Sequence, residues 1–138
     1  MSEFVDTNVL LYAYDPAAGQ RHDRTRELVG ELGRRRDGAL SVQVLQEFYV
    51  NATRKVAVPM TPSDAIERVG VLARWPVHSP HAGDVVAAAD LAERHQLSFW
   101  DAMIVRSASE MGCNTLWTED LNAGQVIDGV RIANPFAP

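Results

Sequence analysis

Short apolar runs alternate with longer amphipathic segments along this chain of 138 residues, and this alternation restricts the fold more than any other feature. The short runs have the length and the flanking turn residues of β-strands: Phe4-Val5, Ala39–Val42, Thr115–Thr118 and Val130–Ile132. Helices are predicted between them from apolar spacings of three and four residues: near Val9, His22–Leu32, Leu45–Val56, Pro62–Ala73, Gly83–His95 and Ser98–Met111. Strands that alternate with helices predict an α/β sandwich around a mostly parallel sheet.

The predicted helices have recognisable ends and apolar faces. Thr7 or Asn8 is expected to cap the first helix, and Gly112 is expected to end the helix that Ser98 opens. Two buried faces follow from the apolar spacing: Ile66, Val69 and Ala73 on one helix, and Val85, Val86, Ala89 and Ala92 on the next. Both helices are therefore expected to turn these faces toward the interior.

Length and cysteine content limit the class of protein. The length favours one domain over residues 1–138, and no apolar stretch approaches the roughly 20 residues of a membrane-spanning helix. Glu3 and Asp6 interrupt the apolar N-terminus, which argues against a secretory signal. The single cysteine, Cys113, suits a reducing compartment. We therefore expect a cytoplasmic protein without a membrane partner.

The net charge of −5 restricts how the chain can meet nucleic acid. A net-acidic protein is repelled by phosphates at long range, so a nucleic-acid partner needs local basic patches or bound cations. Arg54 and Lys55 are candidate contacts for an RNA backbone. The run Arg34–Arg36 is described at least as well by a solvated helix end, where basic residues are favoured.

Four acidic residues lie where an α/β fold places its chemistry, beyond the carboxyl ends of the strands. Asp6 follows the first strand directly, and Asp120 comes just after the Thr115–Thr118 strand. Asp101 is in the first turn of its helix, and Glu47 is on the helix after the second strand, off its apolar stripe. Carboxylates held close together raise one another's pKa, and a divalent cation removes that penalty. No cysteine or histidine ligand motif accompanies the four acids, so Mg²⁺ or Mn²⁺, which prefer oxygen ligands, fit better than zinc. Such an ion suits the hydrolysis of phosphodiester bonds.

Each acid also has a structural explanation when taken alone. Asp101 stands three residues after Ser98, which is the spacing of a capping box. Asp6 fits a turn acceptor, Glu119-Asp120 fits an exposed turn, and Glu47 fits a solvated helix position. Only the joint placement of the four favours a site.

Four stretches resemble the PIN-domain family and, within it, the VapC-type ribonuclease toxins of bacterial toxin–antitoxin pairs. They are Phe4–Leu10 (FVDTNVL), Ser41–Tyr49 (SVQVLQEFY), Leu97–Ile104 (LSFWDAMI) and Leu116–Leu121 (LWTEDL). Their order and spacing fit from residue 3 to the Asn134-Pro135-Phe136 ending, so the resemblance covers nearly the whole chain.

The resemblance implies a three-layer α/β/α sandwich and endonucleolytic cleavage of RNA with one or two Mg²⁺ or Mn²⁺ ions. It implies that the catalytic, metal-binding quartet is Asp6, Glu47, Asp101 and Asp120. Asn8 matches a polar position that supports the first aspartate, and Thr118 matches a hydroxyl position beside the last. Glu119 either helps to hold a second metal or faces solvent. A homodimer and a cognate antitoxin protein, which covers the acidic site, are implied as partners.

Three other functions stay open. A phosphatase of the haloacid dehalogenase type also has a strand-ending aspartate, but it usually carries a second aspartate where this chain has Asn8, and it leaves Glu47 without a role. A non-catalytic interaction module would keep the fold without binding a metal. A stand-alone PIN nuclease in RNA processing would lack an antitoxin.

Overall fold

The computed structural model describes residues 2–137. Within them the chain forms six strands, β1 (Glu3–Val5), β2 (Gly38–Ser41), β3 (Val77–His78), β4 (Thr115–Trp117), β5 (Val126–Ile127) and β6 (Val130–Ala133). The helices are α1 (Thr7–Ala13), α2 (Gln20–Arg35), α3 (Val42–Arg54), α4 (Pro62–Leu72), α5 (Ala82–His95) and α6 (Phe99–Glu110), with a short 3-10 helix at Pro16–Ala18. No helix among these residues is long and apolar enough to cross a membrane.

The strands form one sheet in the order β3-β2-β1-β4-β6-β5. Every neighbouring pair is parallel except β5 and β6, which form an antiparallel hairpin at the edge. Phe4 at the centre pairs with Ala39 on one side and with Leu116 on the other. The mostly parallel sheet and the α/β/α sandwich are confirmed. Neither β3 nor β5 was predicted, because two residues are too short for a recognisable alternation.

The core lies on both faces of the central strands. Phe4, Val5, Leu40 and Leu116 are completely buried, as expected for a parallel sheet covered by helices on each side. Burying side chains of this size contributes about 1.5–3 kcal/mol each relative to exposure. These four strand residues therefore fix β1, β2 and β4 side by side.

The first helix begins two residues earlier than predicted. Asp6, rather than Thr7 or Asn8, is its N-cap, and the Asp6 carboxylate accepts a hydrogen bond from the amide of Thr7 at 2.7 Å. For α6 the prediction was right: Ser98 caps the helix, and Gly112 follows its end with a positive φ of 71°.

The predicted inward faces of α4 and α5 were wrong. In α4 the buried residues are Ala65 and Leu72, whereas Ile66 is 62% exposed; Ala73 is also exposed, and Val69 is partly buried.

In α5 the buried residues are Asp84, Ala88 and Leu91. Val85, Val86 and Ala89 face solvent, and Ala92 is partly buried. Asp84 lies on the inward side of α5, where it accepts a hydrogen bond from Arg106 Nε on α6 at 2.9 Å.

The order of the strands places the carboxyl ends of β1, β2 and β4 at one edge of the sheet. After β1 the chain moves to β2 on one side, and it later returns to β4 on the other side. The gap between β1 and β4 is therefore the point at which the strand order reverses, where ligands bind in open α/β sheets. Asp6 and Asp120 follow these two strands.

Candidate active site

Asp6 is the most buried acid at this edge, with 5% of its surface exposed. Its position between β1 and α1 places one oxygen, Oδ1, on the helix N-terminus through Thr7. The other oxygen, Oδ2, accepts a hydrogen bond from the hydroxyl of Thr118 at 2.8 Å. Both carboxylate oxygens are therefore fixed by the protein.

Asn8 links Asp6 to Asp120. Its Nδ2 donates to Asp120 Oδ2 at 2.9 Å and to Thr118 Oγ1 at 3.3 Å, and it lies 3.5 Å from Asp6 Oδ2. All three neighbours are acceptors at this contact, which defines the orientation of the amide. Thr118 also accepts a hydrogen bond from the Asp120 backbone amide at 3.1 Å. Asn8 and Thr118 therefore hold the carboxylates of Asp6 and Asp120 in fixed positions relative to each other.

Glu47 reaches the same region from the middle of α3. Its Oε1 accepts a hydrogen bond from the Thr7 hydroxyl at 2.7 Å, which ties α3 to the start of α1. Its Oε2 accepts one from Gln43 Nε2 at 3.3 Å, one helical turn earlier. Gln43 Nε2 also donates to the carbonyl oxygen of Trp100 at 3.2 Å, so α3 is linked to the start of α6.

Asp101 enters from the first turn of α6. The hydroxyl of Ser98 caps the helix by accepting from the Asp101 amide at 3.1 Å. The reciprocal half of a capping box, a bond from the Ser98 amide to the Asp101 carboxylate, is not formed in the described part of the chain. The Asp101 side chain is therefore free of a capping role.

All four acids line one cleft of about 230 Å³ beyond the carboxyl edge of the sheet. Its full lining is Asp6, Thr7, Asn8, Leu11, Gln43, Glu47, Asn51, Trp100, Asp101, Ile104 and Asp120. This lining, drawn from residues 2–137, contains no lysine, arginine or histidine. The cleft therefore carries unbalanced negative charge when its carboxyls are ionised.

Burial and mutual repulsion change the proton affinity of two of these acids. The pKa of Asp6 is raised to about 7, mainly by burial and to a smaller extent by the charges of Asp120 and Glu47, against the lowering effect of hydrogen bonds from Thr118 and Thr7. The pKa of Asp101 is also raised, mainly by burial and then by Asp120 and Glu47, against the lowering effect of Ser98. A cation in the cleft would reverse this penalty.

The donor set fits a hard, oxygen-binding cation. The cleft offers carboxylate and amide oxygens, and the buried Asn8 Oδ1 and Gln43 Oε1 accept no hydrogen bond within residues 2–137. No three acidic, histidine or cysteine side chains in that range are grouped closely enough to hold an ion by themselves. Mg²⁺ tolerates such a site, because it usually retains several waters and takes only one or two carboxylates.

Glu119 points away from the cleft. Its Oε1 accepts a hydrogen bond from the Tyr12 hydroxyl at 2.5 Å, and its Oε2 pairs with Arg21. The Arg21 guanidinium in turn lies over the ring of Phe136, 4.4 Å from its centroid. The geometry therefore matches neither expectation for Glu119, since it is neither in the metal cleft nor free in solvent.

Arg54 and Lys55 lie near one end of the cleft. Gln43, Glu47 and Asn51 line the cleft at successive turns of α3, and Arg54-Lys55 follows one turn later at the helix end. Both residues are exposed, and neither forms a salt bridge with another described residue. By contrast, Arg34 pairs with Glu31, and Arg35 pairs with Glu3 and Asp37.

Asn8 and Thr118 were predicted as supports of the quartet, but sequence reasoning missed the two polar residues that hold Glu47, Thr7 and Gln43. Thr7 was considered only as a helix cap, and Gln43 was not considered. Gln43, Glu47 and Asn51 are spaced four residues apart, which places them on one face of a helix. This polar row beside the apolar stripe of α3 is the sequence signal that would have revealed Gln43.

Comparisons with known proteins agree on the fold. A sequence profile of the PIN domain matches residues 4–127. No curated protein sequence matches the chain. Among solved structures, FitAB bound to an IR36 DNA fragment is 18% identical, with 98% of this chain and 96% of that chain covered and a TM-score of 0.70.

Two further structures show the same architecture. Mycobacterium tuberculosis VapC20, described as a Sarcin-Ricin loop cleaving toxin, is 21% identical over 94% of this chain and 99% of that chain, with a TM-score of 0.70. A toxin–antitoxin complex from Klebsiella pneumoniae is 18% identical over 98% of each chain, with a TM-score of 0.69. At these identities the likeness establishes the fold alone.

Proposed function

Because this chain belongs to the PIN-domain family, we propose that it is an endoribonuclease that hydrolyses RNA phosphodiester bonds with a divalent cation, Mg²⁺ or Mn²⁺. One observation carries the proposal. Asp6, Glu47, Asp101 and Asp120 come from four separate segments of the chain, and they line a single cleft at the switch point of the sheet.

The residues that would hold the ion are the four acids. Asp6 and Asp101 are the principal ligands in this proposal, and Glu47 and Asp120 bind directly or through water. When bound, the cation supplies charge neutralisation at a phosphoryl oxygen and lowers the pKa of water at the site.

The surrounding side chains orient the acids. Thr118 fixes Asp6 Oδ2, Asn8 aims Asp120 toward Asp6, and Thr7 holds Glu47 across the cleft. Since these groups are in place before substrate arrives, little reorganisation is needed when charge develops on the phosphate. Arg54 and Lys55 would contact the RNA backbone at the end of α3.

The relatives favour a toxin with a protein partner. The FitAB and Klebsiella pneumoniae structures are complexes of this fold, and the latter is described as a toxin–antitoxin complex. We propose by analogy that this chain is the cytoplasmic toxin of such a pair, active as a homodimer. A cationic side chain of the antitoxin would enter the acidic cleft, to which residues 2–137 contribute no basic side chain.

Cleavage of RNA by matched variants tests the proposal. Wild-type protein should cut RNA with Mn²⁺ or Mg²⁺ and stop when EDTA is added. Asp6→Asn and Asp101→Asn should lose cleavage, whereas Asp90→Asn should keep it, because Asp90 is exposed and pairs with Arg94 at 2.8 Å outside the cleft. Cleavage at the wild-type rate by both cleft variants would refute the assignment.

Further observations separate the alternatives. A non-catalytic interaction module would neither cut RNA nor bind Mn²⁺. A stand-alone nuclease would cut RNA as a free toxin does, so the discriminating observation is the neighbouring gene: a short upstream reading frame for a DNA-binding partner supports the toxin. A phosphatase would release inorganic phosphate from small phosphate esters, an activity that Asn8 disfavours because it stands where a second aspartate is expected.

A further inference from the structure

Trp100 presents its indole to solvent at the rim of the acidic cleft. The residue is 63% exposed although it is large and apolar, and it lines the cleft next to Asp101. Leaving such a ring in water sacrifices the free energy that burial would provide. An exposed indole at this position is therefore unexplained by packing of the chain itself.

The position of the indole is nevertheless restrained. The Trp100 carbonyl oxygen accepts a hydrogen bond from the buried Gln43 side chain at 3.2 Å. The Trp100 ring makes an edge contact with Phe99, whose ring centroid is 5.1 Å away at an interplanar angle of 78°. Phe99 packs against the hydrophobic core. The backbone of Trp100 is thus tied to α3 at the cleft, and its ring rests against Phe99.

Other aromatic residues near the cleft are already engaged. The Tyr12 hydroxyl donates to Glu119, and its ring packs edge-on against Phe136 at 5.5 Å. The Tyr14 ring packs against the buried Phe48 at 5.6 Å. Among the residues that the structure describes, Trp100 is the one aromatic side chain in the lining of the acidic cleft.

An acidic cleft needs an attraction to RNA that does not depend on charge. Base–aromatic stacking supplies it, with a typical gain from about fivefold to about 150-fold in affinity per base. A base stacks on a side chain only when it is unpaired and free to leave its own helix, as in loops and single strands. An exposed indole beside the carboxylates that would hold the cation is suited to bind the nucleotide next to the scissile phosphate.

We propose that Trp100 forms a stacking subsite for one unpaired base adjacent to the cleaved bond. The inference rests on the proposed ribonuclease function and adds to it a contact for the nucleotide beside the cleaved bond. Gln43 is bonded to Trp100, and Arg54 lies about 17 Å farther along α3. Trp100 and Arg54 therefore mark the two ends of a path for the RNA strand across the acids.

Steady-state cleavage of a single-stranded RNA oligonucleotide tests the subsite, with kcat and KM measured separately. Trp100→Ala should raise KM about tenfold, which corresponds to about 1.4 kcal/mol, and should change kcat less than threefold. Trp100→Phe should restore most of the affinity, because a smaller aromatic face remains. Val86→Ala is the matched control, since Val86 is 72% exposed on α5 and lies outside the cleft.

Abasic nucleotides identify the partner of the ring. Removing one base beside the cleaved bond should raise KM for the wild type, and it should cause no further rise for Trp100→Ala. The proposal is overturned if Trp100→Ala keeps the wild-type KM, or if both proteins show the same abasic penalty. A role for Trp100 in binding a protein partner alone would give the first of these results, an unchanged KM for RNA. Failure of the wild type to cut any RNA would instead refute the ribonuclease function itself.

Discussion

Arg21 pairs with Glu119 through the Glu119 Oε2 atom, and this contact holds Glu119 outside the acidic cleft. The Tyr12 hydroxyl occupies the other carboxylate oxygen, Oε1. The adjacent acids Glu119 and Asp120 therefore have different surroundings. Glu119 is neutralised by the Arg21 guanidinium, whereas Asp120 lines the cleft with the other three acids of the quartet. The two positions are expected to respond differently to loss of charge.

We predict that Glu119→Gln leaves Mn²⁺ affinity within about threefold of the wild type, whereas Asp120→Asn lowers it at least about tenfold. The Arg21–Glu119 pair is partly exposed, so its loss should cost at most about 1 kcal/mol of stability. Isothermal titration with Mn²⁺ measures both affinities. Equal losses for the two variants would place Glu119 in the metal site and contradict the geometry.

Asn8 should act as a positioning residue for the metal site. Its Nδ2 stands between the carboxylates of Asp6 and Asp120, and its removal leaves two like charges without a shared donor. We expect Asn8→Ala to lower Mn²⁺ affinity about 10–100-fold, as is usual for residues that orient metal ligands.

The matched control for Asn8→Ala is Asn122→Ala. Asn122 is exposed and lies outside the cleft. A KM for RNA that is unchanged while Mn²⁺ affinity falls would support the positioning role. An Asn8→Ala protein with wild-type Mn²⁺ affinity would show that Asp6 and Asp120 need no shared donor.

The raised pKa of Asp6 makes the metal-free protein sensitive to pH. This pKa is raised, mainly by burial, to about 7 in the folded chain from the ordinary aspartate value of 3.8, so the folded state binds the proton more tightly than the unfolded state does. Protonated Asp6 therefore contributes to the free energy of unfolding below about pH 4, and this contribution is lost as the pH rises through 7.

Asp6→Asn removes this ionisation and keeps an N-cap residue at the start of α1. We therefore expect the variant to be more stable than the wild type at pH 8 in EDTA, by up to about 4 kcal/mol, and the advantage should shrink toward pH 4. Urea unfolding at pH 4, 6 and 8 measures it. A stability difference that is the same at all three pH values would contradict the assigned ionisation.

The central strands were predictable because their residues are apolar on both faces. Phe4-Val5 and Leu116 are completely buried, and such runs are visible without any knowledge of partners. The faces of α4 and α5 were not predictable in the same way. Apolar spacing selected Val85 and Val86, but the inward side of α5 carries the charged residue Asp84, which is bonded to Arg106 and has no place in an apolar pattern.

The acids at the site were predictable from position, and the family resemblance marked Asn8 and Thr118 as their supports, but the role of Gln43 was not predictable. Asp6 and Asp120 follow parallel strands, so a general property of α/β sheets brings them together. The contacts made by Gln43 depend on how α3 lies against α6, because its amide spans Glu47 and the Trp100 carbonyl. Such distances between elements distant in sequence are set by packing of the whole chain.

Direct binding of Mn²⁺ tests whether acids distant in the chain form one cation site. Free Mn²⁺ is measured by electron paramagnetic resonance at pH 8, where Asp6 is mainly ionised, for wild type, Asp6→Asn, Asp101→Asn and the Asp90→Asn control. We predict that each cleft variant weakens binding at least about tenfold, while the control binds as the wild type does. Wild-type affinity in both Asp6→Asn and Asp101→Asn would show that these two carboxylates do not share an ion.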